Sequence, residues 1–79
     1  MNYRLLYFAA LRDAAGRDGE ILQSDACDAR ELFAEVATLR GFSTSSERLR
    51  VAVNGEFTDW GHRLAENDEV VFLPPVSGG

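Results

Sequence analysis

Few side chains in this chain have the types and spacing that chemistry requires. Cys27 is a candidate nucleophile or persulfide carrier because it lies directly before a predicted helix, but no histidine stands near it in the sequence to act as a base. His62 is the only histidine, and a lone histidine without a cluster of histidines or cysteines predicts no metal site. We therefore expect Cys27 to be a small half-buried residue and His62 to be a loop residue without a catalytic role.

Other residue types that often build active sites form no recognisable motif. No two carboxylates are paired at an identifiable cleft, and Gly16 and Gly19 lack the spacing of a phosphate-binding loop. Trp60 is a candidate anchor for a partner, although a tryptophan in so small a chain more often packs over the core. The sequence thus predicts no active site built from the chain's own side chains, no metal centre and no bound cofactor.

The C-terminus offers main-chain chemistry instead. It consists of rigid or small residues, in the order Pro74, Pro75, Val76, Ser77, Gly78 and Gly79. The two prolines remove two backbone donors and stiffen the base of this tail. A glycine has no Cβ, so the end of the chain fits a channel too narrow for other residues, and its unhindered carboxylate can be activated as an acyl-adenylate. The pattern predicts a flexible tail over residues 74–79 with Gly79 as the reactive residue.

Length and composition set the class of the molecule. The 79 residues suffice for one domain, and 46% hydrophobic with 27% charged residues is typical of a globular protein. The net charge of −5 argues against nucleic acid as a partner and favours a protein with a basic rim. All eight basic residues are arginines, so the chain carries no lysine amine.

The expected location follows from the cysteine count and the hydropathy. No apolar run approaches the roughly 20 residues of a membrane-spanning helix, and no signal-peptide cleavage site is evident. A single cysteine excludes an internal disulfide and is typical of a reducing compartment. We expect a cytoplasmic protein that has no membrane partner.

Hydrophobic periodicity predicts five strands and two helices. The strands are predicted over residues 3–8, 20–24, 49–53, 56–59 and 69–73, a short helix or helical turn over 9–15, and the main helix over 29–40. Asp28 and Glu31 have capping-box spacing at the start of the main helix, and Gly41 suits its left-handed exit. Asn54 and Gly55 predict a tight hairpin. The first strand is apolar with few breaks, which predicts burial on both faces or nearly so.

This order of elements predicts the fold class. One main helix against one sheet gives a two-layer α+β domain, and a mixed sheet of four to five strands with a helix across one face is the β-grasp (ubiquitin-like) arrangement. We therefore predict a β-grasp domain over residues 1–73. The sheet face without the helix stays free, and apolar residues there would mark a docking surface.

The sequence resembles the MoaD family, the small sulfur-carrier subunits of molybdopterin synthase, along its whole length. The most specific stretch is FLPPVSGG over residues 72–79, which is close to the family's final strand and its Gly-Gly end. LLYFAALRDAAG over residues 5–16 resembles the family's opening strand and short helix, and DEV over 68–70 also matches. The stretches FSTSSER and FTDWGHR are not diagnostic of the family.

The resemblance implies a role in molybdenum cofactor synthesis. In the family, a ubiquitin-activating-like adenylyltransferase uses ATP to adenylate the terminal glycine, and sulfur then replaces the adenylate to give a thiocarboxylate. The tail inserts into the large synthase subunit and supplies sulfur to cyclic pyranopterin monophosphate. By this resemblance Gly79 is the modified residue, residues 74–78 thread the partner's channel, and the partner-binding residues are Phe8, Arg12, Phe72 and Leu73.

Other functions remain open from the sequence. Sulfur carriers for thiamin, cysteine or tRNA thiolation share the terminal chemistry and differ in the acceptor, although thiamin carriers usually lack the Pro-Pro-Val element. A protein modifier would instead conjugate its glycine to lysines of target proteins, and without lysines this chain forms no lysine-linked chains on itself. A plain binding module would never have its tail activated.

Replacing the cysteine tests whether it takes part in sulfur chemistry. We expect Cys27→Ala to retain full sulfur transfer, because the terminal carboxylate rather than the thiol carries the sulfur. The measurement is sulfur transfer by the purified variant, with circular dichroism as the check on its fold. Loss of transfer by a folded variant would contradict this and support a persulfide on the cysteine.

Overall fold

A computed structural model of the chain describes residues 1–74, and Pro75–Gly79, which make up most of the predicted tail, lie outside the described residues. The elements are β1 (Asn2–Tyr7), α1 (Ala9–Ala15), β2 (Gly19–Gln23), α2 (Ala29–Arg40), a 3₁₀ turn (Ser46–Arg48), β3 (Arg50–Val53), β4 (Glu56–Thr58) and β5 (Glu69–Leu73). The predicted strands and helices are all present, and their ends shift by at most one residue. Within residues 1–74, no helix is long and apolar enough to cross a membrane.

The predicted helix signals act as expected. The Asp28 carboxylate accepts the Glu31 N–H at 2.8 Å and so caps the first turn of α2. The Glu31 carboxylate reaches back to the N–H of Cys27 at 2.8 Å, one residue before the cap. Gly41 ends α2 with a φ of 74° and donates its N–H to the carbonyl of Ala37. These contacts fix both ends of α2 from the local sequence.

The hairpin between β3 and β4 is also as predicted. Asn54 and Gly55 have φ values of 53° and 87°, as a type I′ turn requires. The Asn54 side chain donates to the carboxylate of Asp68 and accepts the N–H of Glu69, both at 2.9 Å. One turn residue therefore closes the hairpin and attaches it to the start of β5.

The five strands form one mixed sheet in the order β2-β1-β5-β3-β4. The central pair, β1 and β5, is parallel, with Tyr7 opposite Phe72. The remaining pairs are antiparallel. The α2 helix lies in the connection from β2, at one edge, to β3 beyond the centre, and so covers one face. This is the predicted β-grasp fold.

The core lies between α2 and the sheet. Phe33 of α2 packs edge-on against Phe72 of β5, with ring centroids 5.0 Å apart, and against Trp60 at 5.5 Å. The core side of the sheet is formed by alternate residues of the central strands, namely Tyr3, Leu5, Tyr7, Val51, Val53, Val70 and Phe72. Trp60 thus packs over the core, which is the more common place for a tryptophan in a small domain.

The expectation that β1 is buried on both faces is wrong. Its burial alternates, so that Tyr3, Leu5 and Tyr7 are buried whereas Arg4 is exposed and Leu6 half-buried. The aromatic and aliphatic run suggested a two-sided strand, but one helix covers only one side of this sheet. The continuous apolar run instead supplies residues to both the core and the open face.

A buried carboxylate joins α2 to the sheet. Glu20 on β2 accepts the Tyr7 hydroxyl at 2.5 Å and Nε of Arg40 at 2.8 Å, and a second Arg40 nitrogen bonds its other oxygen. The hydrogen bonds from Arg40 hold the pKa of Glu20 below its ordinary value despite its burial. Burial and the bond to Glu20 raise the pKa of Tyr7. The network therefore holds a charged carboxylate and a neutral phenol at neutral pH.

Glu20→Gln removes the charge and keeps the size of the side chain. We expect it to lower the free energy of unfolding at pH 7 by about 2–3 kcal/mol, because Arg40 loses its charged acceptor. A carboxylate whose folded pKa is depressed stabilises the fold above its unfolded pKa and loses this effect as the pH falls. The deficit of the variant should therefore narrow below about pH 4.3, the ordinary glutamate pKa.

Urea unfolding at pH 7 and at pH 3 measures the free energy of unfolding of the variant and of the parent chain. Glu56→Gln, at the exposed start of β4, is the matched control and should change stability little. A deficit of equal size at both pH values would mean that Glu20 acts through packing rather than through its charge.

Candidate functional site

The C-terminal ends of β1 and β5 meet because these strands run parallel. Tyr7 lies opposite Phe72, so the residues that follow the two strands emerge at the same edge of the sheet. Both Phe8 and Pro74 line a surface groove of about 550 Å³. Its remaining walls come from the start of α1 and from the segment around the 3₁₀ turn, namely Ala9, Ala10, Leu11, Thr44, Glu47, Arg48 and Leu49. The groove therefore lies at the base of the C-terminal tail, and we call it the tail-base groove.

A sharp turn after β1 presents Phe8 to solvent. The Phe8 carbonyl accepts the N–H groups of Leu11 and Arg12 at 3.1 and 3.3 Å, which starts α1 without a side-chain cap. Ala9 has a φ of 50°, in the left-handed region that costs an alanine roughly 1–2 kcal/mol. The Phe8 ring remains 46% exposed at the groove. The fold thus accepts local strain at the place where a large apolar ring faces outwards.

The sheet surface opposite α2, which we call the outer face, carries an apolar row. In strand register this row crosses the sheet through Phe57, Ala52, Val71, Leu6 and Gly19. Ala52 and Val71 are buried yet lie outside the main core cluster, since they are covered by their neighbours in the row. A Cβ on Gly19 would clash with the carbonyl of Leu5 and crowd the side chain of Leu6. Because Gly19 has no Cβ, β2 can pack closely against Leu5 and Leu6 of β1 at this end of the row.

A cation lies beside this row near the base of the tail. The Arg50 guanidinium lies 4.4 Å from the centroid of the Phe57 ring, within the range of a cation–π contact. Arg50 is also opposite Leu73, the last residue of β5. The Phe57 ring is 56% exposed. The outer face thus offers an apolar centre with an arginine beside the point where the tail leaves the sheet.

The structure separates the residues for which partner binding is predicted. Leu73 is half-buried on the outer face, whereas Phe72 is 0% exposed and lies on the core side, stacked on Trp60 at 5.9 Å. Successive strand residues face opposite ways, so Phe72 supports the end of β5 from behind instead of presenting a surface. Arg12 is exposed on α1, with its Nε 3.8 Å from the Asp18 carboxylate, and is not among the residues that line the tail-base groove. The predicted tail residues Pro75–Gly79 lie outside the described residues.

Neither Cys27 nor His62, the two candidate reactive or metal-ligating side chains, lines the tail-base groove. Cys27 is exposed rather than half-buried as expected, because its neighbour Ala26 turns into the core and accepts the Tyr3 hydroxyl at 2.6 Å. His62 is an exposed loop residue whose carbonyl accepts the N–H of Ala29 at 3.2 Å. Among residues 1–74, no three histidine, cysteine or acidic side chains gather to hold a metal ion.

Comparison with known proteins identifies the family. The model of the ThiS family matches residues 5–79. The chain belongs to the ThiS family. The molybdopterin synthase sulfur carrier subunit of Escherichia coli (strain K12) is 30% identical over an aligned length of 79 residues. The alignment covers 96% of this chain and 98% of that protein. The predicted family, with its MoaD-type members, is thereby confirmed.

Solved structures bear out the fold of this ThiS-family chain. Small archaeal modifier protein 1 of Haloferax volcanii superposes with a TM-score of 0.80 at 20% identity, covering 95% of this chain and 98% of that one. Subunits 1 and 2 of molybdopterin-converting factor from Helicobacter pylori 26695 form a complex in which the matched chain has a TM-score of 0.70 at 24% identity, with full coverage of both chains. These likenesses confirm the β-grasp fold.

Sequence reasoning missed Phe57 and Arg50 as members of the exposed surface. The exposure of Phe57 could have been predicted from the two-residue hairpin, because its geometry places Phe57 opposite Ala52. Ala52 alternates with the apolar Val51 and Val53, so its partner faces away from the core. No comparable signal existed for the groove wall at Leu49, because that wall depends on how a polar loop packs against α1.

Replacing Phe72 and Phe8 with alanine tests the assignment of Phe72 to the core and of Phe8 to the surface in this ThiS-family chain. We expect Phe72→Ala to lower the free energy of unfolding by about 3–5 kcal/mol, since it empties a fully buried aromatic site. Phe8→Ala should cost about 1 kcal/mol or less, because the ring is already largely in water. Urea unfolding monitored by circular dichroism compares the two, and equal losses would contradict the assignment of Phe8 to the surface.

Proposed function

We propose that this ThiS-family chain is a sulfur carrier, the small subunit of a molybdopterin synthase. The observation that carries the proposal is the 30% identity, over nearly the full length of both chains, to a protein named as a molybdopterin synthase sulfur carrier subunit. Residues 1–74 contain a stable core and an exposed apolar surface, and the proposed reactive atoms belong to Gly79. A carrier of this kind needs no pocket for its substrate, because the acceptor is bound by its partner.

The proposed chemistry takes place at the terminal carboxylate. An oxygen of the Gly79 carboxylate attacks the α-phosphorus of ATP held by an activating enzyme, and pyrophosphate leaves. A sulfur nucleophile then adds to the acyl carbon and AMP leaves, which converts the carboxylate into a thiocarboxylate. Adenylation is required because a free carboxylate is a poor electrophile. The thiocarboxylate sulfur is finally the nucleophile towards cyclic pyranopterin monophosphate, at the high effective concentration that docking provides.

The surface of the described residues fits docking to a large subunit. The tail-base groove and the outer face meet where β5 ends, so a partner that receives the tail contacts Phe8, Leu73 and Phe57 together. Apolar and aromatic residues at such a point are typical of interface anchors. The Helicobacter pylori relative in fold forms a complex of subunits 1 and 2, and we propose the corresponding partner here. Arg50 would meet an acidic or carbonyl group at the rim of that partner.

A second candidate function is a protein modifier. The same fold occurs in small archaeal modifier protein 1, and an adenylated Gly79 would serve conjugation to a lysine as well as sulfur transfer. The two functions share the activation step and differ in what attacks the acyl carbon. A sulfur donor leaves a thiocarboxylate on this chain, whereas a target lysine leaves an isopeptide bond between two proteins.

The intact mass of the protein tests the carrier function. After incubation with ATP, a sulfide source and the activating enzyme of the native host, we expect the mass to rise by one sulfur-for-oxygen exchange located at Gly79. The chain lacking Gly79 should stay unmodified, because the Ser77–Gly78 end is one residue too short to reach the adenylation site. His62→Ala is a matched control, because its tail is complete and this exposed loop residue does not line the tail-base groove.

The outcomes separate the candidates. An unmodified chain under these conditions would overturn the carrier function in favour of a plain binding module. Covalent adducts with other proteins, in place of the thiocarboxylate, would favour the modifier. The acceptor is then tested by mixing the loaded chain with the large subunit and cyclic pyranopterin monophosphate, where a dithiolene product is expected.

A further inference from the structure

The strand β2 forms one edge of the sheet, and its free backbone groups can be assigned. Ser24 exchanges hydrogen bonds with Met1, at 2.8 and 2.9 Å, and the N–H of Tyr7 donates to the carbonyl of Asp18 at 2.8 Å. These bonds fix the alternation of the antiparallel β1–β2 ladder. The even-numbered residues of β2 therefore bond to β1. The N–H and C=O groups of Gly19, Ile21 and Gln23 point away from the sheet.

Apolar side chains flank this edge on both sides. Ile21 lies on the outer face and is 71% exposed. Glu35 and Arg40 of α2 bond Ser24 and Glu20, so this flank of α2 lies along β2. Leu39 is one turn beyond Glu35 on the same flank and is 54% exposed. A strand that paired with this edge would therefore contact Ile21 on the outer face and Leu39 on the side of α2.

We propose that two copies of this chain pair their β2 strands antiparallel about a two-fold axis at Ile21, which joins the two sheets into one. In this register Ile21 lies opposite Ile21 of the second copy, and Gly19 lies opposite Gln23. Each of these residues has its N–H and C=O directed outwards, so every such pair exchanges two backbone hydrogen bonds. The exposed isoleucines then cover one another on the outer face. The proposal is independent of the tail chemistry and goes beyond the proposed function.

Charge complementarity favours a second copy as the occupant of this edge. Arg17 and Asp25 lie four residues before and four residues after Ile21, and both are exposed. Arg17 also lies 3.4 Å from the Glu20 carboxylate of its own chain, and its side chain keeps 48% of its surface exposed. Continued two residues beyond each end of β2, the two-fold register brings Arg17 of one copy across from Asp25 of the other, twice in the dimer. An unrelated strand would have to supply these charges in the same order, whereas the chain supplies them to itself. The net charge of −5 on each copy opposes association and makes it weak at low ionic strength.

The dimer leaves the proposed docking surfaces free. In the strand order β2-β1-β5-β3-β4, β2 lies at the opposite edge from β4, which carries Phe57. The tail-base groove lies at the end of β5, which is the central strand of the sheet. A β2–β2 dimer would therefore leave both tail-base grooves exposed.

Sedimentation equilibrium of the full chain at increasing concentration tests the proposal, and a monomer–dimer equilibrium is expected. Ile21→Pro should give a monomer, because proline removes an outward N–H while the β1–β2 ladder keeps its bonds. Ile21→Val keeps the N–H and is the matched control, which should still dimerise. In the dimer, amide hydrogen exchange should slow at Gly19, Ile21 and Gln23.

Charge reversal provides a test that does not depend on proline. Arg17→Asp and Asp25→Arg should each weaken the dimer by about tenfold, because two attractive pairs become repulsive. Circular dichroism checks the fold of each variant, because Arg17→Asp also removes the ion pair with Glu20 of the same chain. The double variant restores both pairs and should return to the affinity of the parent. A parent chain that stays monomeric at millimolar concentration would overturn the proposal, as would a dimer that Ile21→Pro and charge reversal leave unchanged. Protection of the same three amides only when an unrelated apolar strand peptide is added would also overturn it.

Discussion

The parallel pairing of β1 with β5 is the constraint on which the rest of this molecule depends. It places the first and last strands side by side in the centre of the sheet. Parallel neighbours cannot be joined by a hairpin, so all other elements must fit into the long connection between them. The antiparallel partners of β1 and β3, which are β2 and β4, form the two edges of the sheet. The same pairing brings Phe8 and Pro74 to one groove, although 66 positions separate them in the sequence (74 − 8).

The small size of the chain determines the second feature, the open outer face. One helix of 12 residues covers one side of a five-stranded sheet, and no other element within residues 1–74 covers the other side. A domain of this size buries a smaller share of its surface than a larger one. The apolar row from Phe57 to Leu6 therefore stays on the surface of the described domain, where we propose that a partner docks. The row lies beside Leu73, so the proposed docking surface adjoins the end of β5.

The core-side contacts explain how so short a chain holds this surface in place. The Glu20 network joins β1, β2 and the end of α2 through charge-assisted hydrogen bonds. On the other side of the helix, Phe33, Phe72 and Trp60 form an aromatic cluster behind the end of β5. These two sets of contacts fix α2 at both flanks. The described domain thus provides a rigid support, and the proposed chemistry lies beyond it at Gly79.

Local features were predictable from the sequence because they depend on neighbouring residues. The cap at Asp28, the exit at Gly41, the Asn54–Gly55 turn and all element bounds to within one residue follow from short-range hydrogen bonding and hydrophobic periodicity. The β-grasp fold also followed, because the order of elements leaves few ways to cover a sheet with one helix. The reactive terminus was predicted from the order of the last six residues and from the family resemblance, and it stays a prediction.

Which face each residue occupies was decided by the tertiary structure. Whether Phe72 or Leu73 points to the core depends on strand register, and a shift of one residue exchanges them. The one-sided burial of β1, the exposure of Cys27 and the wall of the tail-base groove at Leu49 depend on contacts between distant segments. The sequence by itself determined the elements, since they depend on local hydrogen bonding and periodicity, and it predicts the chemistry of the terminus. Only the tertiary structure decided which side chains are surface, because burial is set by what packs against a residue from elsewhere in the chain.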